Sequence, residues 1–114
     1  MRKFISVPKD QTALAALDYD QATKDQLFEV TIEDDLFGAL WRKGIWGDIN
    51  LIVNVNIDAY EDEQITDLED IQEILRRGVF DRSYSDEALN LKIKEIKVLF
   101  QRAIDCKTGV FFFF

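Results

Sequence analysis

The chain ends in "VFFFF", residues 110–114, with no polar residue in the run. A strand that alternates apolar and polar side chains can leave one face in water. One that is apolar at every position needs cover on both faces. The terminal run therefore predicts a strand in the middle of a sheet, and the rest of the chain has to supply its neighbours and its cover.

Candidate neighbours are few. "KFISV" (3–7) is short, rich in aromatic and β-branched residues, and stopped by Pro8. "LFEVTI" (27–32) alternates Phe28, Val30 and Ile32 with Glu29 and Thr31, as a half-buried strand does. "NLIVNVNIDAY" (50–60) sets Leu51, Val53, Val55, Ile57 and Ala59 against Ile52, Asn54, Asn56, Asp58 and Tyr60, and has the clearest strand alternation in the chain.

Cover comes from helical patterns. Residues 10–26 read as helix plus turn, without a clean stripe. In 34–43 the apolar residues Leu36, Phe37, Leu40 and Trp41 recur at three and four positions, acids precede them, Arg42 and Lys43 follow, and Gly44 ends the helix. Helix 67–77 opens with a capping box, Thr66 with Glu69, buries Leu68, Ile71 and Leu75, and stops before Gly78. A longer helix, 86–105, begins near Ser83 or Ser85, buries Leu89, Ile93, Ile96, Phe100 and Ala103, turns Lys92, Lys94, Glu95, Lys97 and Arg102 to solvent, and is stopped by Gly109. The expectation is one α+β domain over residues 1–114: a sheet of about four strands covered by three main helices, with the C-terminal strand central. Of the two tryptophans, Trp41 and Trp46, core positions are the default reading.

Composition narrows function by exclusion. The net charge is −8, which argues against nucleic acid or an anionic membrane as partner, because phosphate binding needs a basic footprint. "MRKFISVPKD" lacks the apolar core of a secretory signal, and no stretch approaches the about 20 apolar residues of a membrane span, so a cytoplasmic location is expected. With no histidine and a single cysteine, Cys106, neither a zinc site nor a thiol-imidazole pair can be assembled. Paired carboxylates such as Asp58 with Glu61 or Asp62 are the remaining route to acid-base chemistry, and a chain this short leaves little room for a substrate cleft. "DAYEDEQITDLE" lacks the residue order and the turn glycine of a calcium loop, and the five glycines are too scattered for a phosphate loop. No enzyme activity, metal or cofactor is expected.

What remains is interaction. Residues 58–73 hold eight carboxylates and no lysine or arginine. The bland account is a solvated helix face with its approach loop. Against it, like charges at helical neighbour spacing repel by about 0.2–0.5 kcal/mol per pair, a cost that interspersed lysines would have relieved. A cationic protein surface would neutralise them. The candidate partner-binding residues are Asn54, Asn56, Asp58 and Tyr60 on one side of the expected strand, then Glu61, Asp62, Glu63, Asp67, Glu69, Asp70 and Glu73.

From Gly44 onward, "GIWGDINLIVNVNIDAYEDEQIT", then "LNLKIKEIKVLFQRAI" and the aromatic terminal strand, the chain resembles small acidic bacterial immunity proteins of contact-dependent and polymorphic toxin systems. The segment Ile57, Asp58, Tyr60, Glu61 and Asp62 is similar to the strand end seen in that group. The resemblance implies an inhibitor that binds a basic toxin domain, often a nuclease, at or beside its active site. The alternative is a non-catalytic structural or regulatory domain, including a homodimer joined through the terminal strand or an apolar helix face.

Overall fold

The computed structural model describes residues 3–59 and 61–114. β1 (Lys3–Pro8) and β2 (Leu27–Ile32) form at the two short alternating stretches and pair antiparallel, from Lys3 opposite Ile32 to Pro8 opposite Leu27. Pro8, with no N–H to give to a ladder, stands at the strand end. β4 (Val110–Phe113) pairs antiparallel with β1 on one side and with β3 (Glu63–Ile65) on the other, giving the order β2-β1-β4-β3. The terminal strand is central, as its lack of alternation requires, and Val110, Phe111, Phe112 and Phe114 are each no more than 5% exposed.

Among the described residues five α-helices pack on this α+β sheet: α1 (Gln11–Asp18), α2 (Asp34–Arg42), α3 (Ile45–Val53), α4 (Leu68–Arg76) and α5 (Glu87–Cys106). α2 carries Asp34 and Asp35 in its first turn and Arg42 in its last, and Gly44 follows in the left-handed region at φ +81°. The α5 stripe Leu89, Ile93, Ile96, Phe100 and Ala103 is buried as its spacing predicts. Helices α2 to α5 share one core with Ile5, Val7, Ile32, Val110 and Phe112, which project from one sheet face. Phe111 and Ala13 are buried but lie outside that core, because they belong to the other face, where α1 alone lies across the strands.

The centre of the main core is aromatic. Trp46 is fully buried, with ring centroids 5.4 Å from Phe114, 5.9 Å from Phe37 and 6.2 Å from Phe112. Its indole N–H has no hydrogen-bond acceptor among the described residues. Leaving such a donor unmatched costs about 1–3 kcal/mol, whereas burying an indole of about 200 Å² contributes about 5 kcal/mol, so burial wins. Trp41, by contrast, is 36% exposed.

Several expectations are corrected. Of the segment read as the clearest strand, 50–60, residues 50–53 are the end of α3 and residues 54–59 follow it as a loop. Ile45, Trp46 and Ile49 bury at helical spacing, and Leu51, expected inward, is 85% exposed. The third strand is instead Glu63–Ile65, inside the acid run. Helix α4 is capped by Asp67, whose carboxylate accepts the Glu69 N–H at 2.9 Å, in place of Thr66, and Ile74 is buried where Leu75 was expected. Asp86, in place of Ser83 or Ser85, caps α5, accepting the Leu89 N–H at 3.2 Å. The helix ends at Lys107, which adopts φ +57°, ahead of Gly109. Lys92 does not face solvent: its side chain is 12% exposed and its ammonium donates to the Thr31 carbonyl at 2.6 Å, covering part of the β2 edge.

Candidate protein-binding surface

The acidic segment begins where α3 stops. Asn54 takes the left-handed conformation (φ 55°, ψ 46°) that asparagine tolerates, and turns the chain away from the helix axis. Asn50, still in α3, then holds the departing chain from both sides. Its Oδ1 accepts the Ile57 N–H at 2.7 Å and its Nδ2 donates to the Ile57 carbonyl at 3.2 Å, while the Ile57 side chain is buried in the core.

Beyond this anchor the polar residues build a corner. The Glu63 carboxylate accepts the backbone N–H of Asn56 at 3.1 Å and that of Gln64 at 2.9 Å, tying the loop to the edge strand β3. Asp58 accepts the Glu61 N–H at 3.0 Å and the Asn56 side-chain amide at 3.4 Å. Asn56, Asp58, Glu61 and Glu63 are thus brought together by a loop, whereas a strand face was expected. Asn54 is exposed at the helix end, and Tyr60, the expected aromatic anchor, lies outside the described residues.

Two residues after β3, Asp67 starts α4, which carries Glu69, Asp70 and Glu73. Glu69 is exposed and Asp70 half-buried. Glu73 differs from the rest. It accepts from Arg76 at 2.5 Å and from Arg77 at 2.7 Å, and these hydrogen bonds hold its carboxyl below the ordinary value of 4.5. Glu73 is therefore neutralised within its own helix.

The other charges sort clearly. Among the described residues Glu61, Asp62, Glu63, Asp67, Glu69 and Asp70 form no ion pair. The cations that do pair, apart from Arg76 and Arg77, are engaged elsewhere: Lys3 with Asp34, Arg82 with Asp48, Lys92 with Glu33 and Glu95, and Lys97 with Asp81. The imbalance visible along the sequence persists in three dimensions. Asp62 and Glu63 also line, with Asp18 at the end of α1, a hollow on the second sheet face.

No family model, curated protein or solved structure matches the chain. The surface has to be read from its own chemistry. Among the described residues no group of three carboxylate, cysteine or histidine side chains is placed to hold a metal ion, and no helix is long and apolar enough to cross a membrane. Cys106 is half-buried in the last turn of α5. Glu61, Asp62 and Glu69 are exposed, and among the described residues their carboxylates make no hydrogen bond or ion pair; they are the groups placed to meet another molecule.

Sequence reasoning missed Asp18, which joins the corner only through tertiary structure, since α1 shows no clean apolar stripe from which its direction could be read. It also missed the structural duties of Asp58 and Glu63. Asparagines at 54 and 56 beside a charged run are compatible with a loop as well as with a strand, and that was the available signal.

Proposed function

We propose that the protein neutralises a basic toxin domain, such as a nuclease, in the bacterial cytoplasm, by binding it through the acidic corner around Glu61, Asp62 and Glu69. The observation that carries this reading is the set of carboxylates from Glu61 to Asp70 that form no ion pair among the described residues, on a chain whose paired cations, Arg76 and Arg77 apart, lie elsewhere. Complementary charge on a partner would relieve the repulsion and raise the association rate. The resemblance of residues 44–114 to small acidic immunity proteins supports the same role. The competing homodimer reading drew on the terminal strand or an apolar helix face; the terminal strand is paired on both sides, which leaves the helix face as the support for that reading.

The test is growth protection. The protein is co-expressed with candidate basic toxin domains, taken first from reading frames that adjoin its gene, as wild type and as the triple variant Glu61→Lys, Asp62→Lys, Glu69→Lys. These side chains are exposed, so the variant should keep the fold, with thermal midpoint and circular dichroism close to wild type. Protection is expected to disappear. Full protection by the folded triple variant would remove the corner from the interface.

A further inference from the structure

Helices α2 to α5 cover one face of the sheet, and the other face is left partly open beside α1. Two hollows lie on it. One, of about 450 Å³, is lined by Phe4, Ser6, Glu29, Phe113, Leu17 and Asp20 among others. The next, of about 480 Å³, is lined by Leu17, Asp18, Asp62, Glu63, Phe111 and Phe113 with Gln64. Leu17 and Phe113 line both, so the two hollows adjoin, and together their linings draw on all four strands; the pair is one candidate groove.

Its floor is aromatic: Phe4 and Phe113, cross-strand partners, stack with ring centroids 4.9 Å apart. Its walls are acidic. Asp20 and Glu29 line the first hollow and Asp18 and Asp62 the second, with Glu63, whose carboxylate is bound to the Asn56 and Gln64 N–H groups, at its edge; among the described residues Lys24 is the one cation lining either. None of those five carboxylates is in an ion pair among the described residues. Glu29 is held in place by the buried Ser6 hydroxyl, which donates to Oε2 at 3.1 Å, while the rest of the side chain stays exposed.

We propose that this groove receives an extended segment of the basic partner in which lysine or arginine alternates with aliphatic residues. The inference rests on the reading of the acidic corner, since Asp62 and Glu63 belong to both surfaces. The aliphatic side chains lie on Phe4, Phe113 and Leu17, and the cations meet the carboxylate walls. Three strand spacings amount to roughly 14 Å, the length of about four extended residues. A second copy of this chain is a poor occupant, because a protein of net charge −8 would be brought against an acidic groove.

The test uses the full, isotope-labelled chain and three hexapeptides as probes, alternating lysine with leucine, lysine with serine, and glutamate with leucine. The lysine-leucine peptide is expected to shift the amide signals of Ser6, Leu17, Glu29 and Phe113 saturably. The lysine-serine peptide should bind at least about fivefold more weakly, and the glutamate-leucine peptide should leave the signals in place. The Asp18→Lys, Asp20→Lys double variant, altered at exposed positions, should weaken the lysine-leucine peptide by about tenfold, whereas Glu69→Lys should not. Shifts confined to residues 61–70 would overturn the groove and leave the corner reading standing. Equal binding of the lysine-serine peptide, the same shifts with spermidine, or the same shifts on self-association without peptide would each overturn the proposal. Loss of protection in the corner variant tests the proposed function separately, so the two failures are distinguishable.

Discussion

A Cβ built on Gly109 would lie 2.9 Å from the Ile65 carbonyl oxygen and 3.2 Å from Thr66 Cα, both backbone atoms that cannot swing aside. The glycine is there so that β3 and the entry to β4 can approach closely. Two residues earlier, Lys107 adopts φ +57°, a conformation that a residue with a Cβ occupies at a cost of roughly 1 kcal/mol, and it ends α5 there. The Thr108 hydroxyl then donates to the Pro8 carbonyl at 2.7 Å, and the Gln11 amide donates to the Lys107 carbonyl at the same distance, so the turn is fixed to β1 and α1. The two positions should respond in opposite directions in urea unfolding. Lys107→Gly is expected to stabilise by about 0.5–1 kcal/mol, and Gly109→Ala to destabilise by about 1–3 kcal/mol through displacement of β3. A neutral Gly109→Ala would show that the strands do not need the close approach.

At the scale of elements, α3 offers the sharpest contrast. Its C-terminal part alternates like a strand, yet Ile45, Trp46 and Ile49 are spaced for a helix and are fully buried. Tertiary burial of that stripe overrides the β preference of Ile52 and Val53. Were 50–60 a strand, Leu51 would sit with the core and its replacement would be severe. In the helix, Leu51→Lys is expected to change stability by less than about 0.5 kcal/mol, and Ile49→Ala to cost about 2–5 kcal/mol. Thermal unfolding of the two variants decides between the assignments. The elements legible in the sequence were those whose pattern agreed with their packing: β1, β2, α2, α4, the α5 stripe, and the central β4, whose lack of alternation states its place. β3 was not legible because three residues at a sheet edge show no periodicity, and Glu63–Ile65 lies in a charged run. Of the candidate surface, the charge was legible and its distribution was not. Glu73 is matched by arginines three and four positions on, just past the end of the run, while Asp58 and Glu63 act as backbone acceptors whose partners only the folded loop supplies.

Across the whole molecule, stability and recognition draw on different forces. The core is held by the aromatic cluster around Trp46 and the α5 stripe, neither of which responds strongly to salt. The ion pairs, such as Lys3 with Asp34 and Lys97 with Asp81, are at the surface, and such pairs contribute about 0–1 kcal/mol each. The exposed carboxylates of Glu61, Asp62 and Glu69 have no ion-pair partner among the described residues, and their field reaches outward over about one Debye length, roughly 30 Å at 0.01 M salt and 3 Å at 1 M. Salt should therefore separate the two. Between about 20 mM and about 500 mM sodium chloride the thermal midpoint is expected to move by only a few degrees, while the association rate with the proposed basic partner falls about tenfold or more and the dissociation rate changes much less. Stopped-flow mixing at several salt concentrations measures both rates. An association rate that is flat with salt would mean that the partner does not meet the acidic corner, because no long-range attraction between opposite charges survives such screening unchanged.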